Sequence, residues 1–94
     1  MTDQAYAVHY RYVPEMQTRR DPYRAEHLAF LRSQADQGGL VLAGALTDPL
    51  DAAWIVVLAA SEAAAYAMVS DDPYVRAGLV RSITVRPITL VVPD

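Results

Sequence analysis

Hydrophobic and polar positions alternate along the first stretch of the chain: Tyr6, Val8, Tyr10 and Tyr12 fall on one side, Ala7, His9, Arg11 and Val13 on the other. A period of two in a segment rich in aromatic and β-branched residues predicts a strand. Pro14 and a polar run to Arg20 break it. Asp21-Pro22 then offers an N-cap followed by a ring that fits a first helical position, which predicts a helix from there to about Gln37. Gly38-Gly39 permits the left-handed conformation that closes a helix. At about 100° per residue, Tyr23, His27, Phe30, Leu31 and Gln34 share a face of that helix, with Leu28 and Ala35 at its margin and Ala25, Arg32 and Asp36 opposite. His27 is therefore expected to point inward.

Leu40 to Leu46 and Ala52 to Ala59 are apolar on both alternating sides and are joined by Thr47-Asp48-Pro49-Leu50-Asp51, a turn composition, so they predict a hairpin. Ser61 is placed to cap a second helix with Glu62 in its first turn, and Pro73 is expected to stop it. Val80 to Ile88 has the mixed pattern of an edge strand. The order is βαββαβ. With right-handed crossovers it gives a ferredoxin-like α+β sandwich, an antiparallel four-stranded sheet with strands one and three central and two helices on one face. No repeat, low-complexity tract or linker divides the chain, so residues 1–94 are read as a single domain.

Strand three, Ala53 to Leu58, is apolar on both faces although helices can cover only one of them. The expected cover is the same face of a second copy, a homodimer of the dimeric α+β barrel kind. The pleat offers two candidate sets for that contact: Ala53, Ile55 and Val57, or Trp54, Val56 and Leu58. The apolar tail, Ile88 to Val92, is expected to lie on the partner or along the seam.

Composition sharpens this picture. Of 94 residues 53% are hydrophobic, more than one thin core hides, which again favours self-association. A net charge of -3 without long runs leaves no footprint for nucleic acid or an anionic membrane, and neither is expected as a partner. The absence of cysteine excludes disulfides, thiolate metal sites and cysteine nucleophiles, and is compatible with a reducing cytoplasm. The N-terminus lacks the basic start and apolar run of a secretory signal, and the longest apolar run, Ala52 to Ala60, is about half of the roughly 20 residues that span a membrane. A cytoplasmic location is the expectation.

In this topology the start of the first helix and the end of the second reach the same edge of the molecule, so His27 and Asp72 can converge. A carboxylate beside an imidazole holds one tautomer and stabilises the imidazolium that forms when the ring takes a proton, the arrangement of a general acid/base pair. A packed core histidine, with an aspartate that only caps the turn before Pro73, fits the same pattern.

Three segments taken in order carry a resemblance: Arg24-Ala-Glu-His27-Leu-Ala-Phe-Leu31, Gly39-Leu-Val-Leu-Ala-Gly44-Ala-Leu46 and Asp72-Pro73-Tyr74-Val-Arg-Ala-Gly78-Leu79. Together they resemble the YCII (YciI-like) family over nearly the whole chain. The resemblance implies a dimeric ferredoxin-like fold with a histidine and an aspartate proposed as an active pair, here His27 and Asp72, and with Arg24 and Tyr74 at flanking positions. The family is similar in fold to muconolactone isomerases and cofactor-free monooxygenases, and activities assigned within it include elimination of hydrogen chloride from a chlorinated aromatic. Arg20-Asp21-Pro22-Tyr23, at the start of the helix, departs from the family pattern and bears on the pocket mouth.

Other candidates are weaker. A metal triad of His9, His27 and Asp72 is disfavoured because His9 lies mid-strand, and no metal or other cofactor is expected. Tyr12 can offer a hydroxyl near the end of its strand, and Trp54, at the start of strand three, an aromatic wall for a ligand. No G-x-S-x-G is present, and Gly38-Gly39 lacks the rest of a phosphate loop. Two functions remain. One is a cofactor-free acid/base enzyme that eliminates from or isomerises a small cyclic or enolisable molecule through His27 and Asp72, with Arg24, Tyr74, Tyr12 and Trp54 around the substrate. The other is a non-catalytic dimer, accessory or small-molecule-binding, in which the same pair only anchors a ligand.

Overall fold

The computed structural model describes residues 3–92. Strand β1 (Gln4–Tyr12) is followed by the one-turn helix α1 (Met16–Arg19), a 3-10 turn (Asp21–Tyr23) and helix α2 (Arg24–Asp36). The hairpin β2 (Leu40–Leu46) and β3 (Ala52–Ala59) leads to α3 (Glu62–Ser70), the one-turn helix α4 (Pro73–Arg76) and β4 (Val80–Pro87). All pairings are antiparallel, and the strand order β2-β3-β1-β4 is that of a ferredoxin-like α+β fold.

Register decides which side chains share a face. Tyr6, Val8 and Tyr10 stand opposite Val57, Ile55 and Ala53, and with Tyr12 and Ala59 they are buried beneath the helices. Val8 and Tyr10 have no exposed surface at all. Removing side chains of this size from water stabilises the fold by roughly 1.5–3 kcal/mol each. The opposite face of the sheet carries the other register set, His9 with Trp54 and Ala7 with Val56, and no helix covers it. Trp54, Leu42 and Leu46 are each between 42% and 51% exposed there. Of the two sets considered for contact with a partner, Ala53, Ile55 and Val57 are committed to the core, which leaves Trp54, Val56 and Leu58.

Several boundaries differ from the sequence expectation, each for a local reason. The polar run after Pro14 is not a plain break: Met16 drives a helical turn because its side chain is buried in the core. Asp21 does not cap a long helix, and Pro22 sits in the 3-10 turn that feeds α2. Helix α3 ends at Ser70, and Pro73, expected only as a stop, occupies the first position of α4 with Asp72 as its N-cap. The predicted C-cap of α2 holds, with Gly38 at φ 82° and the Gly39 amide bonded back to the Gln34 carbonyl at 3.0 Å.

The inward face of α2 is also narrower than its periodicity implies. Only His27 is buried; Phe30, Leu31 and Gln34 are half-buried, and Tyr23 is exposed. The cause is position, because α2 lies along β2, an edge strand exposed over most of its length, and so covers the margin of the sheet rather than its centre.

Candidate active site

Asp72 owes its conformation to local structure. It is the N-cap of α4, and its Oδ1 accepts the Tyr74 backbone N–H at 2.9 Å, as a capping aspartate does. Its side chain has no exposed surface, so the carboxylate must be satisfied from within. Two further groups do this. The Tyr10 hydroxyl donates to Oδ2 at 2.8 Å, and His27 Nδ1 lies 2.7 Å from Oδ1. An ionised carboxylate only accepts, so this network assigns the proton of the neutral imidazole to Nδ1 and leaves Nε2 with a free lone pair. The three elements that supply these groups, β1, α2 and α4, are far apart in sequence and meet only through the crossovers.

The imidazole is fixed in plane as well as in tautomer. The Tyr74 ring stacks on His27 with centroids 3.6 Å apart and planes inclined by 6°. Tyr12 meets Tyr74 edge-on at 6.1 Å, and Tyr10 lies 6.3 Å from Tyr12. Burial raises all three phenols above the ordinary tyrosine value, and for Tyr10 the Asp72 carboxylate adds to the rise. At Tyr74 the neighbouring guanidinium groups of Arg20 and Arg24 pull the other way. These phenols are neutral hydrogen-bond donors at physiological pH.

His27 and Tyr74 open onto a pocket of about 170 Å³ between α2 and the sheet. Arg20, Arg24 and Tyr12 supply its polar wall, while Leu28, Leu31 and Ile55 supply much of the apolar one. The structure thus brings His27, Arg24, Tyr74 and Tyr12 together around one cavity, with Asp72 directly behind the imidazole.

Trp54 does not join them. It sits on the uncovered face of the sheet, packed against His9 with ring centroids 4.4 Å apart. The expectation that it walls the same pocket is corrected: starting at the right edge of β3 did not decide which face the indole takes. His9 lies on that far face too, so it cannot share a metal ion with His27 and Asp72. Among the described residues no group of three His, Cys, Asp or Glu is placed to hold a metal.

One residue of the site escaped the sequence reading: nothing in the strand pattern shows that the Tyr10 hydroxyl reaches Asp72. Arg20, named only within the helix-entry segment that bears on the pocket mouth, stands on the wall itself beside Arg24. It ends α1 and precedes α2, so the period of α2 gives no signal for it.

Residues 5–89 match the family described as the YCII-related domain. The chain belongs to the YCII family. No curated protein matches the sequence significantly. Among solved structures, this YCII-related domain is similar to 5-chloro-2-hydroxyhydroquinone dehydrochlorinase from Burkholderia phenoliruptrix, in complex with 2,5-dihydroxybenzoquinone, with a TM-score of 0.77 and 18% identity over 90% of this chain and 93% of the other. It is also similar to a putative antibiotic biosynthesis monooxygenase from Bacteriodes thetaiotaomicron, with a TM-score of 0.60 and 16% identity over 98% and 92% of the two chains. SnoaB, a cofactor-independent oxygenase from Streptomyces nogalater, aligns over the full length of both chains with a TM-score of 0.51 and 14% identity. At these identities the likeness establishes the fold.

Proposed function

We propose that this YCII-related domain is a cofactor-free acid/base enzyme that carries out elimination from, or isomerisation of, a small cyclic or enolisable organic molecule. The observation that carries the reading is the buried His27–Asp72 pair, 2.7 Å apart, with its imidazole lining a pocket between α2 and the sheet. His27 Nε2 removes a proton from carbon, and the C–H electron pair moves into a new double bond. In an elimination a leaving anion departs with its bonding electrons; in an isomerisation an adjacent double bond opens, and its displaced electron pair takes the proton back from the imidazolium at a different carbon. Asp72, hydrogen-bonded to the ring at Nδ1, holds it in place and stabilises the imidazolium. The dehydrochlorinase of similar fold, seen with a quinone, supports a ring-sized substrate and a leaving halide.

The protein is further proposed to act as a homodimer in the cytoplasm, paired through the uncovered sheet face that presents Trp54, Leu42 and Leu46. No helix among the described residues is long and apolar enough to cross a membrane. The deciding experiment follows chloride release and ultraviolet spectra over a panel of chlorinated hydroquinones, with His27→Ala as the control. Turnover lost in that variant supports the enzyme; ligands that bind unchanged to wild-type protein over hours make it a binding dimer instead.

A further inference from the structure

The pocket carries an imbalance of charge that the acid/base reading does not use. Arg20 and Arg24 both line it, and neither has a carboxylate within ion-pair distance; the pairs among the described residues are His27 with Asp72 and Arg76 with Asp71. Arg20 is half-buried; its guanidinium reaches the Tyr74 side chain, while its Nε is shut off from solvent without a hydrogen-bond partner. A buried Nε–H donor left unsatisfied loses its hydration without compensation. Arg20 and Arg24 therefore place two guanidinium groups on a pocket wall that contains no carboxylate among the described residues. Besides Tyr12, His27 and Tyr74, the rest of that wall is apolar or small: Leu28, Leu31 and Ile55, with Ala43, Gly44 and Ala45 from β2.

Size narrows the ligand. The cavity measures about 170 Å³, and an apolar cavity of about 150 Å³ accommodates benzene. From these observations we propose that the pocket selects a single-ring organic monoanion, a carboxylate or a phenolate, whose charged oxygen is held by Arg20 and Arg24 while the ring lies against Leu28, Leu31 and Ile55. Rigid planar guanidinium groups suit an oxyanion better than they suit a neutral carbonyl. Arg24 and His27 are three residues apart on α2, so an anion held at the arginines keeps the ring beside the imidazole. The inference deepens the proposed enzyme reading by naming its substrate class, but ligand selection itself does not require turnover.

Benzoate and benzamide, equal in shape and different in charge, test it by calorimetric titration at neutral pH. Benzoate is expected to bind more tightly, on the order of tenfold, the size of one charge-assisted hydrogen bond. Arg20→Gln and Arg24→Gln should each remove most of that preference and leave benzamide affinity unchanged. Arg24 is exposed, so its variant keeps the test sound even if the Arg20 change perturbs the fold. His27→Gln should retain the preference, so a loss of acid/base activity and a loss of anion selection are read separately. Equal affinity for the two ligands overturns the proposal. So does an equal fall for both in the arginine variants, a preference that disappears with His27 instead, or no binding of either ligand at millimolar concentration.

Discussion

Asp72 makes two kinds of contact with one carboxylate. It caps α4 and also bonds to His27, so a capping role and the proposed orienting role are compatible. The two roles separate by substitution. Asn caps helices about as well as Asp, so Asp72→Asn should keep the thermal midpoint within a few degrees while lowering turnover by on the order of 10²- to 10⁴-fold, the usual range for positioned proton transfer. His27→Ala should lower turnover within the same range. A large loss of stability with turnover preserved would show that the pair only packs. The buried phenols give a second expectation. Tyr10 and Tyr12 lie above the ordinary tyrosine value when folded, so the folded state holds those protons more tightly than the unfolded chain does. Their contribution is therefore fully present below pH about 10 and is lost as pH rises beyond it. Denaturant titrations on the alkaline side should show wild-type stability falling with pH, and falling less steeply in Tyr10→Phe; identical slopes would contradict the assignment.

The least conspicuous element, α1, has a structural part to play. One helical turn is too short to be stable by itself, and it persists because Met16 is buried to 1% exposure in the core. The turn fixes where Arg20 leaves it, and the 3-10 turn passes that placement on to Arg24 and His27. Met16→Ala should cost about 2–5 kcal/mol, the range for deleting a buried side chain of this size. It should also weaken ligand binding more than an equally destabilising change at Val57, on the far side of the core. If both variants bind equally well, α1 is filler and not a support for the pocket wall. Helix α4 is the second such element, since the proline expected to end one helix begins another and thereby aims the Tyr74 N–H and ring at the pair.

For the whole molecule the uncovered sheet face is the feature that bears on a partner. The uncovered face joins Trp54, Leu42 and Leu46 into an apolar surface, and beyond β4 the chain leaves Val91 75% and Val92 84% exposed. Surfaces of this kind on a small domain mark association sites. Light scattering at micromolar concentration should give twice the mass of one chain, and Trp54→Arg should return the mass of one chain with the helix-covered core intact by circular dichroism. Truncation after Pro87 should weaken the pairing. A wild-type protein that stays single at all concentrations, or a Trp54→Arg protein that still pairs, removes this face as the interface.

Element order, the hairpin, the central positions of β1 and β3, the Gly38 cap and the inward turn of His27 were all legible in the sequence, because each depends on period, cap chemistry or crossover rules that act over a few residues. Arg24 and Tyr74 were legible through their motifs. What the tertiary structure alone decided is which of two equally apolar faces of β3 the helices cover, and therefore that Trp54 lies away from the pocket. A strand that is hydrophobic on both sides holds no information about which side is inside. The Tyr10 hydroxyl on Asp72 spans 62 positions of sequence, and only the pairing of β1 into the sheet centre beneath α4 brings those atoms within 2.8 Å.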